Sequence, residues 1–82
     1  MEKREDIVSK ILDIIDNNLI DVDIVLTEDV NLKYDLNIDS MTLVRIILDI
    51  SDSFNIEIQS NDINDNNFLT INHIVNFVKG KI

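Results

Sequence analysis

Residues 19–38 read LIDVDIVLTEDVNLKYDLNI, a stretch that alternates briefly between apolar and polar residues but has no second strand-like segment to pair with. A lone strand in a chain of 82 residues has no hydrogen-bonding ladder, so the alternation does not announce a sheet. The segment is expected instead to be a long ordered loop with a helical turn near Thr27 to Val30. Val25, Leu26, Val30, Leu32, Leu36 and Ile38 would anchor it by turning into the core. That leaves the core to be built from helices. Ile7, Val8, Ile11, Leu12, Ile14, Ile15 and Leu19 recur at helical spacing and predict a helix from about Glu5 to Asn17, ended by Asn17 and Asn18. A second helix is expected from Asp39 or Ser40 to about Phe54, with Val44, Ile47, Ile50 and Phe54 as its buried stripe. SNDINDNN is too short and too polar for more than one helical turn, and TINHIVNFVKGKI predicts a helix from about Thr70 to Lys79. In that last helix Ile71, Ile74, Val75 and Val78 face inward, and Lys79 suits the negative C-terminal end. The expected fold is an all-α four-helix bundle with three main helices, one short third helix and a long first loop, in a single domain over residues 1–82.

Size and charge narrow the function. A chain of this length buries about 60–65 % of its unfolded surface, which leaves little room for a deep catalytic cleft. Sixteen acidic residues against seven Lys and Arg give a formal net charge of −9, which repels phosphate backbones and anionic lipid. Nucleic acid is therefore an unsuitable partner, and basic protein surfaces are natural ones. There is no cysteine, so disulfides, thiolate nucleophiles and zinc–thiolate sites are excluded. No run of eighteen apolar residues suggests a membrane span, and MEKREDIV lacks a signal-peptide apolar block; a cytoplasmic monomer is expected.

Few residues offer chemistry. His73 lies on a helix whose inner face is already occupied by Ile and Val, which suits a partly exposed structural role. The acidic pairs discriminate nothing in so acidic a chain, and Gly80 is the single glycine, so no loop can cradle phosphate. DINDNN at 62–67 superficially suggests a calcium loop, but it lacks glycine at the sixth position, and the twelfth is His73 rather than glutamate; a solvated Asx-rich turn is the better account. Asp39 and Ser40 remain. As a bare pair, they are a helix cap.

Their surroundings widen that meaning. From Leu32, LKYDLNIDSMTLVRIILDISDSFNIEI resembles the acyl carrier protein family, in which a D-L-G-x-D-S-L/M motif opens the second of four helices; FLTINHIVNFV resembles the family's ending. The resemblance spans residues 5 to 79, with its elements in family order. It implies that Ser40 is the attachment point of phosphopantetheine, transferred from coenzyme A by a separate magnesium-dependent phosphopantetheinyl transferase. It further implies a carrier that holds an acyl or aminoacyl intermediate as a thioester, is loaded by other enzymes and catalyses nothing itself. Asp39 would cap the helix and contact the transferase. Asn37 departs from the family's glycine, but Asn is among the residues that best tolerate a positive φ.

The resemblance also makes the exposed face of the second helix a docking surface. Helical spacing turns Met41, Thr42, Arg45, Asp49 and Asp52 outward, with Leu48 at the edge. Fatty acid synthesis carriers usually hold acid where this chain has Thr42 and Arg45, which argues for a dedicated pathway. DSM and the spacing from Phe54 through Phe68 to Ile74 are similar to D-alanyl carrier proteins of cell-wall esterification, whereas LKYDLNIDS is closer to general acyl carriers. If any cavity shelters the load, Ile47, Ile50, Ile58, Ile63 and Phe68 are expected to line it. Outside the carrier class stands an unmodified acidic helical adaptor.

Overall fold

The computed structural model describes residues 3–19 and 25–82. Four α-helices follow in order: α1 Arg4–Asn18, α2 Ser40–Phe54, α3 Asp65–Phe68 and α4 Ile71–Lys81, with a 3₁₀ turn at Ser60–Asp62 before α3. The fold is all-α and resembles an acyl carrier bundle, as expected. None of the helices among the described residues is long and apolar enough to cross a membrane.

The isoleucine spacing explains the packing. Ile7, Ile11, Ile14 and Ile15 fall on one side of α1; Ile46, Ile47, Ile50 and Phe54 do so on α2, and Ile71, Ile74, Val75 and Val78 on α4. Together with Val30, Leu32, Leu36 and Phe68 they form one core. Each buried side chain of this size contributes about 1.5–3 kcal/mol relative to exposure. Polar ties set the edges of α1. Arg4 donates to Asn72 at 2.7 Å and Asn76 at 3.2 Å, and it pairs with Glu28 of the loop. At the other end Asn18 donates to the Ile14 carbonyl and to the Asp49 carboxylate, joining α1 to α2.

Two expected core residues face water. Val44 is 51 % exposed, because at 100° per residue it lies on the same side of α2 as Ser40 and Met41; Ile46 takes the buried place. Val25 is 82 % exposed, so the described part of the loop is anchored by Val30, Leu32 and Leu36, with Leu26 and Ile38 partly buried against the core. The expected turn closes through the Val30 amide and Thr27 carbonyl, while the loop assignment over 20–24 lies outside the described residues.

The alternation in the loop has a use that is not a sheet. Its extended stretch runs against the start of α4: the Asn72 and Ile71 amides donate to the Glu28 and Val30 carbonyls at 2.8 and 3.2 Å, and the Leu32 amide donates to Leu69 at 2.9 Å. Two of these donors belong to the first turn of α4, where an α-helix has no internal acceptors. The loop therefore completes the helix.

Candidate functional site at the start of the second helix

The approach to α2 is built by local hydrogen bonds. The Asn31 side-chain oxygen accepts from the Lys33 and Tyr34 amides, both at 2.9 Å, and Asp35 accepts from the Asn31 amide. The Ile38 amide then reaches back to the Leu32 carbonyl. Between them Asn37 takes φ 52°, the left-handed conformation that the family's glycine would adopt and that Asn tolerates. Asn55 takes the same φ and closes the other end of α2, a helix stop without glycine.

Asp39 is extended, with φ −83° and ψ 173°, and its carboxylate accepts the Thr42 amide at 2.8 Å. The chain thus assigns the cap to Asp39 alone. Bonds from the Thr42 backbone and side chain hold the Asp39 carboxyl below its ordinary value of 3.8, slight desolvation opposes them, and the Arg45 charge adds a smaller push downward. Ser40 is the first residue of α2, and it is exposed. Its hydroxyl makes no hydrogen bond among the described residues. The Thr42 and Leu43 amides are taken by Asp39, so the Ser40 and Met41 amides stand at the open, positive end of a fifteen-residue helix.

Beside Ser40 lies a cleft of about 260 Å³ between the loop, α2 and the segment around α3. Leu32, Ile38, Leu43, Ile63, Phe68 and Leu69 give it an apolar lining, and Lys33 and Asp65 border it with their charges 4.0 Å apart. Ile63 and Phe68 stand where a sheltering cavity was expected. Ile47 and Ile50 are instead buried in the core, and Ile58 packs partly buried against it. Leu43 was not anticipated, although its place one helical turn after Ser40 is a signal for it.

Of the outward residues expected on α2, Met41, Arg45, Leu48, Asp49 and Asp52 are exposed, and Thr42 is half-buried. His73 is half-buried on α4, with its ring Nδ1 2.5 Å from the Thr70 hydroxyl, which also accepts the His73 amide. The DINDNN segment runs from the end of the 3₁₀ turn into α3: Asn64 caps α3, Asn67 donates to the Asp62 carbonyl, and Asp62 accepts the Gln59 amide and pairs with Lys81 at 3.4 Å. Among the described residues no cluster of His, Asp or Glu is suited to hold a metal ion.

The arrangement presents an unengaged serine hydroxyl and two open amides, which together suit an anionic group joined to Ser40. The family model described as the phosphopantetheine attachment site matches residues 5–78. No curated protein and no solved structure gives a significant match.

Proposed function

The chain belongs to the phosphopantetheine attachment-site family, and we propose that Ser40 is where its prosthetic group is joined, in a single carrier domain serving a dedicated biosynthetic pathway. Proteins of this family are carrier modules rather than enzymes; they hold phosphopantetheine covalently and work with modifying and biosynthetic enzymes. The group supplies a thiol on a flexible arm, on which an acyl or aminoacyl load is held as a thioester.

The observation that carries the assignment is the division of labour at the helix start. Asp39 caps α2, which frees the exposed Ser40 hydroxyl from any structural task. The open Ser40 and Met41 amides and the helix dipole favour a phosphodiester there. Ser40 requires no base of its own, since the transferase supplies one. A dedicated pathway is supported by Arg45, whose positive charge disfavours partners built for an acidic carrier face. The cleft is below the roughly 300–1,000 Å³ of small-molecule pockets, which supports a small load or one left exposed. That is compatible with D-alanine as well as with a short acyl group.

Intact-protein mass spectrometry tests the assignment, using coenzyme A, magnesium and a broad-specificity phosphopantetheinyl transferase. The native chain is expected to gain one phosphopantetheine and Ser40→Ala none. Equal gain in both would move the attachment elsewhere, and no gain in either, with a transferase active on another carrier, would favour the adaptor.

A further inference from the structure

Ser40 stands between two hollows of different chemistry. On its Leu43 side is the apolar cleft; on the other is a shallow hollow bordered by Ser40, Met41, Val44 and Arg45. Helix geometry separates them: at 100° per residue, Leu43 lies about 60° to one side of Ser40, and Val44, Met41 and Arg45 lie about 40–140° to the other. Arg45 is one turn after Met41, and helical side chains lean toward the N-terminus, so its guanidinium is directed back along α2 toward Ser40.

Two observations agree with that direction. Arg45 also borders the hollow that contains Asp39 and Thr42, and its charge helps to hold the Asp39 carboxyl below its ordinary value. It is exposed and forms no ion pair with a described residue, whereas Lys33, the cation on the cleft side, stands 4.0 Å from Asp65. A phosphodiester on Ser40 places a second negative charge next to the ionised Asp39 carboxylate. Those like charges repel, and a guanidinium, with five donors in a planar fork, can serve both at once. Resting on the carrier assignment above, we propose that Arg45 holds the phosphate at the base of the prosthetic arm, pairing with it on the Met41 and Val44 side of Ser40. The arm then starts away from the apolar cleft, which keeps a short load outside it.

The test uses the full chain after treatment with coenzyme A, magnesium and a phosphopantetheinyl transferase, with intact mass confirming one arm, and reads the phosphate by phosphorus NMR. An exposed ion pair keeps its contact in roughly 60–85 % of molecules at low salt. Transverse relaxation of the phosphorus is therefore expected to be about twofold faster in the native chain than in Arg45→Gln. At about 1 M salt, where screening shortens to about 3 Å, the two should agree. Arg45→Lys, a charge without the planar fork, should fall between them. The native chain gives a second reading that needs no variant: the Arg45 Nε–H resonance should shift on modification and return toward its unmodified position in high salt. Equal relaxation in native and Arg45→Gln chains at low salt, or an Arg45 resonance unmoved by modification, would overturn the anchor. If the native chain gains no mass while the transferase modifies another carrier, the carrier assignment itself fails and the anchor falls with it.

Discussion

Two helices of this bundle begin with the same kind of device and are used in opposite ways. α2 starts after Asp39 and α4 after Thr70, each cap accepting the amide three residues on. At α4 the loop then supplies carbonyls to the Ile71 and Asn72 amides, Thr70 takes the His73 amide, and Ile71 is fully buried. At α2 nothing among the described residues covers the corresponding Ser40 and Met41 amides, and both side chains are exposed. A helix start becomes structural when another segment completes its hydrogen bonds. It remains available as a site when only the cap is provided.

The sharpest way to break this contrast is to truncate the first residue of each helix. Ile71→Ala should cost about 2–5 kcal/mol of stability through the lost burial and the cavity it leaves. Ser40→Ala should leave the melting transition within about 0.5 kcal/mol of the native one while abolishing modification. Denaturant unfolding and mass spectrometry on the two variants check this directly; a strongly destabilised Ser40→Ala would mean that the hydroxyl has a structural task. The caps come next in size. Thr70→Ala should lose about 1 kcal/mol, and Thr70→Ser should recover most of it in the same unfolding assay, because the hydroxyl that serves the His73 amide is kept.

The bundle was legible because isoleucine recurs at helical spacing in α1 and α4, so one phase dominates each helix. In α2 apolar residues occupy 41, 43, 44, 46, 47, 48, 50 and 54, on both sides of the helix, and spacing alone does not distinguish a stripe through Val44 from one through Ile46. The surplus apolar side chains Met41, Val44 and Leu48 are the exposed ones. Resemblance pointed to Ser40 as the proposed attachment point, whereas its freedom from capping depends on the chain turning helical one residue after Asp39, a backbone property that Asp and Ser both permit. The Arg4 tie to Glu28, Asn72 and Asn76 joins residues 24 to 72 positions apart, beyond the reach of local pattern.

Asn37 gives a test of comparable size at the open end. At φ 52°, Asn37→Gly should fold and be modified as the native chain is, whereas Asn37→Val should lose about 1–2 kcal/mol because a β-branched side chain is strained in that conformation. Thermal melting and mass spectrometry read both variants, and a fold indifferent to valine would show that the turn rearranges.

The gentlest test uses pH to distinguish the two helix starts. Asp39 is held below 3.8 in the folded chain, chiefly by the Thr42 amide, so its ionised form is the one that folding favours. Its stabilising contribution is fully present above pH 3.8 and is lost as the pH falls through the lower folded value. Thr70 carries no ionisable group, so its cap does not weaken by this route. Asp62, lowered in the same direction by the Gln59 amide and Lys81, titrates on the side of the 3₁₀ turn and α4's end rather than at either helix start. In an NMR titration below pH 4, the Thr42 amide should shift with Asp39 protonation while the Ile71 and Asn72 amides hold their positions. In Asp39→Asn the Thr42 shift should disappear, since asparagine caps without titrating. Persistence of the Thr42 titration in that variant would assign it to another group and remove the Asp39 charge as the source of the cap's pH dependence.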